Sequence, residues 1–341
     1  GEGSMGAALA AAAAEGAWQG AAPEVEPAPS PGAAVSRTLT RRALWRLRRL
    51  LARPELSFLG AWAGNESMLA ELHTRLSSGE LAVVPDFLRA DVAETVREDT
   101  LRGISMGWLR PVGTPMSRLG LDGPMLAEIA SPSLPPAERC RMLRALDDRL
   151  GFKFRYHVLD PRNAGHEIKA ADFPGQMRLY SGFASKTWTK ALMLLLTGSH
   201  EVPDGADFEL PFYREYRPED YALFHNDVDG SNKYRALCMN YWLSKQVAST
   251  NEDADASLGG SFLWCGPADS TGRFPEARRL PPAWNTASIF APCAGSWHAV
   301  EAVQESAPAS GLRRLSFTSW LSAPRPPRAS GKAPPGSEDE L

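Results

Sequence analysis

The sequence has few of the features that assign a chain to a class at once. Only four of its 341 residues are cysteines, and no two of them form a C-x-x-C pair. This count and spacing exclude a disulfide-dense scaffold, and they predict reduced and mostly packed thiols. The four residues are Cys140, Cys238, Cys265 and Cys293.

Long apolar runs and an excess of one charge are also lacking. No run approaches the roughly 18 to 20 apolar residues that span a bilayer, so no transmembrane segment is predicted. The 37 basic and 40 acidic residues nearly cancel, which gives no reason to expect a nucleic-acid partner. With 43% hydrophobic residues the chain can bury a real core, and we expect a soluble globular protein of one large or two small domains.

The two ends of the sequence lack large side chains. Residues 1–35 are mostly Ala, Gly, Pro and Glu, and residues 323–341 are mostly Pro, Ser, Gly and charged residues. Such segments cannot bury enough surface to offset their ordering entropy, so both are predicted to be disordered. The final Glu338-Asp339-Glu340-Leu341 resembles an endoplasmic-reticulum retrieval signal, although a glutamate stands where lysine or histidine is usual. A soluble intracellular, cytoplasmic location is expected, with the endoplasmic-reticulum lumen or another organelle as the alternative.

A basic segment follows, in residues 36–65. Seven arginines and no acid lie between Arg37 and Arg53, interleaved with leucines and Trp45. The spacing predicts an amphipathic helix that ends before Pro54. It is either a targeting or membrane-surface segment or a solvated helix that leads into the domain. Acidic residues upstream, such as Glu15, count against a transit peptide.

Residues 66–322 are predicted to form one α+β domain with a mainly β core. The first part has helical spacing in four places and strand-like runs near Leu81 and Phe152. From Phe208 to Leu321 the chain has short aromatic and aliphatic runs separated by Gly, Pro and Asp, which is typical of a sandwich or jelly roll and sets the core at 208–322. The predicted helices are Met68–Leu76, Ala90–Arg102, residues 136–150 and Ser185–Thr197.

Three residues form a candidate metal site. His225 and Asp227 are two apart in Tyr221 to Asp227, a segment that can be one strand, so they project from the same face. Two ligands bind a metal weakly, and His298, one of only six histidines, is the best third donor. Two His and one carboxylate suit Fe(II) and leave positions open for other ligands. The alternative is a surface His225 paired with Asp227, with His298 unrelated to both.

A candidate anion site lies downstream of His298. Arg314, Ser316 and Thr318 share one face of a predicted strand that is otherwise apolar. A buried guanidinium needs an anion, and its planar fork favours a carboxylate. An internal salt bridge is the alternative. Residues 305–311 form an insertion, so that Arg313 could replace Arg314 in this role.

Motifs in the expected order resemble the prolyl-hydroxylase type of 2-oxoglutarate and Fe(II) dioxygenase over about residues 78–321. Departures are Glu219 where glycine is usual, and Trp242 where a tyrosine often holds the cosubstrate. The similar segments are Tyr216 to Tyr221 before His225-x-Asp227, Arg235 to Ser244, Gly259 to Leu263, Pro282 to Phe290, His298-x-Val300, and Arg314-x-Ser316 followed by Trp320.

The resemblance implies a double-stranded β-helix that hydroxylates an unactivated carbon and releases succinate and CO2. It implies Fe(II) held by His225, Asp227 and His298, with 2-oxoglutarate as cosubstrate, O2, and possible use of ascorbate. Arg314 and Ser316 would bind the cosubstrate, with Tyr216 as the phenolic contact.

The expected partner is a prolyl residue of a protein or peptide. A small molecule or free amino acid is the alternative substrate, and a non-catalytic binding or sensing module is the alternative of another class. The acidic segment 246–258 is either a lid over the barrel or a solvated insertion. The sequence predicts no oligomeric state.

Overall fold

The structure, a computed structural model, describes residues 38–120, 134–159, 170–199, 202–209, 211–228, 233–245, 258–305 and 313–324. The predicted disordered segment 1–35, the insertion after Glu305 and nearly all of the loop 246–258 lie outside these residues. The predicted disordered tail lies outside them from residue 325 onward, but residues 323 and 324 belong to the last strand. No described helix is both long and apolar enough to cross a bilayer.

Six α-helices lie within the described residues, and five of them fall where helical spacing predicted a helix. The sixth, α5, was missed because Gly175 and Gly182 lower its helix propensity. Both glycines are needed for packing, since a Cβ on Gly182 would lie 2.0 Å from a ring carbon of Phe58. The helices are α1 Arg41–Leu51, α2 Glu66–Ser77, α3 Ala90–Ser105, α4 Pro136–Leu150, α5 Pro174–Phe183 and α6 Lys186–Thr197.

The α6 helix shows how the sequence sets the helix ends. The Ser185 side chain accepts a hydrogen bond from the backbone N–H of Trp188, which satisfies one donor of the first turn. Gly198 ends the helix in the left-handed conformation at φ 71°, as its place after Thr197 predicted. Eight of its twelve residues are buried, including all six apolar residues from Ala191 to Leu196, so α6 lies inside the helical layer.

The strands form a double-stranded β-helix, in which every strand pair is antiparallel. This is the jelly-roll class that the strand pattern predicted. The strands are β1 Ala82–Val84, β2 Leu109–Gly113, β3 Phe154–Leu159, β4 Asp207–Phe208, β5 Phe212–Tyr216, β6 Tyr221–His225, β7 Lys233–Trp242, β8 Phe262–Trp264, β9 Arg278–Leu280, β10 Thr286–Phe290, β11 His298–Val300 and β12 Arg314–Pro324.

The strands divide into two sheets that face each other. The first sheet has the order β1-β10-β7-β12-β5, and the second has the order β6-β11-β8-β9. Strand β3 pairs with both β5 and β6 and so joins the two sheets. The sheets therefore include β1, β2 and β3, which precede residue 208, where the predicted core began. The β2 strand was missed, since Pro111 and the terminal Gly113 are atypical of strands.

The largest hydrophobic core lies between the helices and the outer face of the first sheet. Trp188 of α6 is fully buried there against Phe183 and Phe208, and Phe317 of β12 packs against Phe183 from the sheet side. A second cluster fills the space between the two sheets and is largely aromatic. The side chains of β12 alternate between these two clusters. Leu315 and Phe317 face the helices, while Arg314 faces the interior of the barrel.

A disulfide joins Cys140 of α4 to Cys265, which follows β8. The prediction of reduced thiols is therefore wrong for this pair, and the described thiols of Cys238 and Cys293 are free. The two half-cystines are separated by 125 residues in sequence, and their Cα atoms are 5.7 Å apart. Packing of α4 on the outer face of the second sheet brings them together, and spacing along the chain cannot show such a contact.

Candidate metal and cosubstrate site

The three predicted metal ligands lie together at one end of the second sheet. His225 is the last residue of β6 and His298 the first of β11, and the two are direct partners in the antiparallel ladder. One ligand atom from each of these histidines and from Asp227 lies within 4.8 Å of the others. The spacing predicted that Asp227 belongs to the same strand as His225. The strand ends at His225 instead, and Asp227 reaches the site from a left-handed backbone conformation with φ 59°.

Backbone carbonyls orient both imidazole rings. His225 Nδ1 lies 2.7 Å from the carbonyl oxygen of Leu223, and His298 Nδ1 lies 2.8 Å from that of Ser296. Each Nδ1 can donate its proton there, which leaves the lone pair of Nε2 free for a metal. The Nε2 atoms face the carboxylate of Asp227, at 3.9 Å for His225 and 3.5 Å for His298.

The electrostatics of the site favour the forms that bind metal. Burial, and next the neighbouring His298, lower the pKa of His225 from 6.5 to about 3, so its ring is neutral at physiological pH. Burial alone would raise the pKa of Asp227, but its interactions with His298, His225 and Arg235 hold that pKa well below its usual range. Neutral imidazoles and an ionised carboxylate are the ligating species. Two His and one carboxylate fit Fe(II) with open positions.

Arg314 lies inside the barrel without an acceptor. It is 1% exposed, and its Nε, Nη1 and Nη2 atoms all lack a hydrogen-bond partner among the described residues. The guanidinium carbon lies 4.7 Å from the ring centroid of Trp242 and 5.7 Å from that of Tyr216. Burial lowers the pKa of Arg314 to about 9, so the group is still a cation at neutral pH. A buried cation without a counter-ion is costly, which indicates that an anion binds here.

Another donor beside Arg314 is unpaired as well. The Nε1 atom of Trp242, whose ring centroid lies 4.7 Å from the guanidinium carbon, is buried and has no hydrogen-bond partner among the described residues. Together with the guanidinium it fits a carboxylate, whose two oxygens accept several hydrogen bonds. Trp242 stands where a tyrosine is usual in the family that the sequence resembles. Its indole N–H can thus take the place of the tyrosine hydroxyl as a hydrogen-bond donor. Gly260 provides the space, because a Cβ there would lie 2.2 Å from Arg314 Nε.

The remaining predicted residues fall on both sides of this pocket. Tyr216 is the ladder partner of Arg314, and Ser316, which is buried, is the partner of Trp242. Arg313 is largely exposed and lies 3.6 Å from a carboxylate oxygen of Glu215. The structure therefore favours Arg314 over Arg313 as the anion-binding residue.

Two arginines near the metal ligands were missed in the sequence. Arg235 donates to a carboxylate oxygen of Asp227 at 3.2 Å, close to a bulge in the β7–β12 pairing. Arg214 lies on β5, where its side chain stacks on Tyr156 with 4.5 Å between the guanidinium carbon and the ring centroid. Arg214 could have been found in the sequence, because it is two residues from Tyr216 and therefore lies on the same face of the strand. Bulges re-aim side chains, so no comparable signal pointed to Arg235.

Solved structures that are similar to this chain include prolyl hydroxylases, as the motifs predicted. A prolyl-4-hydroxylase from Pseudomonas putida is 18% identical over 75% of this chain and 99% of its own, with a TM-score of 0.40. A Trichoplax adhaerens prolyl hydroxylase, solved with a hypoxia inducible factor peptide fragment, is 12% identical over 84% of this chain and 94% of its own, with a TM-score of 0.42.

A third similar structure has a different activity. The non-haem alpha-ketoglutarate-dependent epimerase SnoN from nogalamycin biosynthesis is 13% identical over 81% of this chain and 94% of its own, with a TM-score of 0.44. No protein-family model matches the chain, and no curated protein does either. At these identities and TM-scores, the function must be inferred from the chemistry of the site itself.

Proposed function

We propose that this protein is an Fe(II)- and 2-oxoglutarate-dependent dioxygenase that hydroxylates an unactivated carbon, and that its substrate is a prolyl residue of a protein or peptide. The observation that carries the proposal is the pairing of two sites in one barrel. Three metal donors lie within 4.8 Å of one another, and Arg314 is buried in the same interior with no acceptor among the described residues. A structural metal site would have no use for that guanidinium.

Each side chain has a distinct role in this proposal. His225, Asp227 and His298 hold Fe(II), and Arg235 holds the Asp227 carboxylate in place. Arg314, with Ser316 and Tyr216 beside it, binds the far carboxylate of 2-oxoglutarate. Iron and cosubstrate, when bound, supply the oxidative chemistry that yields succinate, CO2 and the hydroxylated product.

Aromatic rings keep water away from the metal ligands. The ring centroids of Phe290 and Phe262 lie 4.8 and 5.3 Å from that of His298, and Trp264 stacks beside it at 6.4 Å. Exclusion of water strengthens the charge interactions in the site and protects reactive species. Ascorbate stays a prediction from the sequence resemblance.

The test measures succinate formed from 2-oxoglutarate in the presence of Fe(II) and O2, together with the mass of candidate prolyl peptides. We expect succinate and a gain of one oxygen on a peptide. His225→Ala and His298→Ala should abolish both and should lose one equivalent of bound Mn(II). His157→Gln is the matched control, since His157 is a mostly buried histidine that pairs instead with Asp220.

The outcomes separate the competing functions. Succinate without any oxidised peptide would favour a small-molecule or free amino-acid substrate. Binding of metal and 2-oxoglutarate without succinate would indicate a sensing module. Unchanged turnover in His225→Ala would contradict the metal assignment.

The disulfide bears on the compartment. Disulfides form and persist in oxidising compartments and are rare in the cytosol. We therefore propose the endoplasmic-reticulum lumen, the alternative location in the sequence analysis, in place of the cytoplasm.

A further inference from the structure

A second group of unpaired donors lies in the barrel, apart from the one around Arg314. Arg214 Nε and Trp320 Nε1 are both buried and have no hydrogen-bond partner among the described residues. The guanidinium carbon of Arg214 lies 6.0 Å from the centroid of the Trp320 ring. The only hydrogen bond that the guanidinium makes within the described chain runs from Nη1 to the Tyr216 hydroxyl, at 3.5 Å. Arg214 thus has no carboxylate partner among the described residues.

The surroundings of Arg214 form an aromatic frame next to the metal ligands. Its guanidinium lies over the rings of Tyr156 and Phe212, with 4.5 and 5.0 Å from the guanidinium carbon to the ring centroids. A second arginine stacks on the Trp320 ring, since the guanidinium carbon of Arg235 lies 4.2 Å from the indole centroid. Arg235 in turn binds Asp227. One indole ring therefore connects Arg214 to the residue that holds a metal ligand.

The charges of the loaded site do not balance without a further anion. Fe(II) with Asp227 carries one positive charge, and Arg314 adds another. The two carboxylates of 2-oxoglutarate neutralise both. Arg214 and Arg235 then remain as two cations beside a low-dielectric interior, where unpaired charge is costly. No described acid other than Asp227 is within salt-bridge distance of Arg235, and none is within that distance of Arg214.

We propose that Arg214 recognises a carboxylate of the substrate, so that the substrate class is acidic. The inference rests on the proposed function and narrows it. For a peptide, it requires Asp, Glu or a free carboxylate within one or two residues of the hydroxylated position. Arg214 is a specificity residue, and its side chain is only partly buried, so that a ligand entering the barrel can reach it.

The experiment compares acids with their amides. Protein loaded with Mn(II) and saturating 2-oxoglutarate is titrated by calorimetry with N-acetyl-proline and N-acetyl-prolinamide, and with blocked prolyl peptides carrying Glu or Gln one and two residues to either side. A hydrogen bond between charged groups contributes about 1.5 to 3 kcal/mol, so we expect at least one acid to bind roughly tenfold to a hundredfold more tightly than its amide. Arg214→Gln should remove the difference, and Arg214→Lys should keep part of it.

Two further variants locate the effect. Arg314→Gln should weaken binding of 2-oxoglutarate and leave the preference for the acid intact at saturating cosubstrate. Arg178→Gln, an exposed arginine that bonds Ser57 far from the barrel, should change neither. The proposal is overturned if no acid of the series binds more tightly than its amide, or if Arg214→Gln keeps the full preference.

It is also overturned if Arg214→Gln weakens binding of 2-oxoglutarate as strongly as Arg314→Gln does, because Arg214 would then hold the cosubstrate. A separate measurement tests the proposed function. If the unmodified protein binds neither Mn(II) nor 2-oxoglutarate, the proposed function is wrong, regardless of how tightly the acids bind.

Discussion

The two sheets of the barrel are built from similar strands but are supported in different ways. The first sheet is covered by helices and owes its burial to large apolar side chains such as Trp188 and Phe317. The second sheet carries both candidate histidine ligands, and α4 is attached to its outer face by the Cys140–Cys265 disulfide. A buried ion pair, Arg139 with Glu301 at 2.8 Å, also connects α4 to the second sheet. The hydrophobic support thus lies mainly behind the first sheet and both histidine ligands lie on the second, while the candidate anion site around Arg314 lies on the inner face of the first sheet.

Two tryptophans, one packed behind the first sheet and one within the second, provide the sharpest comparison. Trp188→Ala should lower the free energy of unfolding by about 3 to 5 kcal/mol, because it leaves a large cavity under the first sheet. Folded Trp188→Ala should still bind Mn(II) with unchanged affinity. The ring of Trp264 packs on Phe290 and stacks beside His298. The variant Trp264→Ala should therefore lose both stability and metal affinity. Chemical denaturation and metal titration measure both quantities, and equal metal affinities in the two variants would show that the sheets are not separable.

Removal of the disulfide tests the support of the second sheet. Cys140→Ala combined with Cys265→Ala should lower the free energy of unfolding by about 2 to 4 kcal/mol, since the loop between them is long. Cys293→Ala removes a free thiol and is the control, with a smaller expected change. Reductant should destabilise the unmodified protein and leave the double variant as it is. Alkylation of Cys140 or Cys265 in the unreduced, folded protein would contradict both the bond and the proposed oxidising compartment.

Over a single pH unit, a pH titration should show the smallest of these effects. His225 has a folded pKa of about 3, below its ordinary 6.5, because burial disfavours the charged ring. Its contribution to stability is complete above pH 6.5 and is lost as the pH falls from there towards 3. The metal-free protein should therefore lose about 1.4 kcal/mol for each pH unit below 6. His225→Gln should flatten the slope by that amount, and an identical slope in this variant would show that the ring is not buried in its neutral form.

Sequence patterns were sufficient for the class of fold and for most helices. Alternating apolar residues and turn residues identified the jelly roll, and Gly198 marked the end of α6. The patterns failed where tertiary packing overrode local preference. Helix α5 contains glycines because neighbouring chain leaves no room for a Cβ, and the Cys140–Cys265 contact depends on how α4 docks.

The candidate site was only partly readable from the sequence. His225, Asp227 and His298 stood out because the chain has only six histidines and because His225 and Asp227 are two residues apart. The left-handed turn at Asp227 was not predictable, since strand periodicity continued through it. Arg214 was missed because an arginine alternating with aromatic residues reads equally well as a solvent-facing residue. Its significance depends on having no described acid within salt-bridge distance, and that is a property of the folded barrel.

The space at Gly260 makes this position informative in the sequences of other proteins with this fold. Its φ of 70° and its closeness to Arg314 mean that even a single methyl group would push the guanidinium aside. A chain with a larger residue at the equivalent place could keep its three metal donors and still be unable to seat a dicarboxylic keto acid in this way. The second glycine of the Gly259-Gly260 pair is therefore a marker that can be checked in sequence alone. On the proposed function, it separates chains with room for the proposed cosubstrate from those that have only the metal donors.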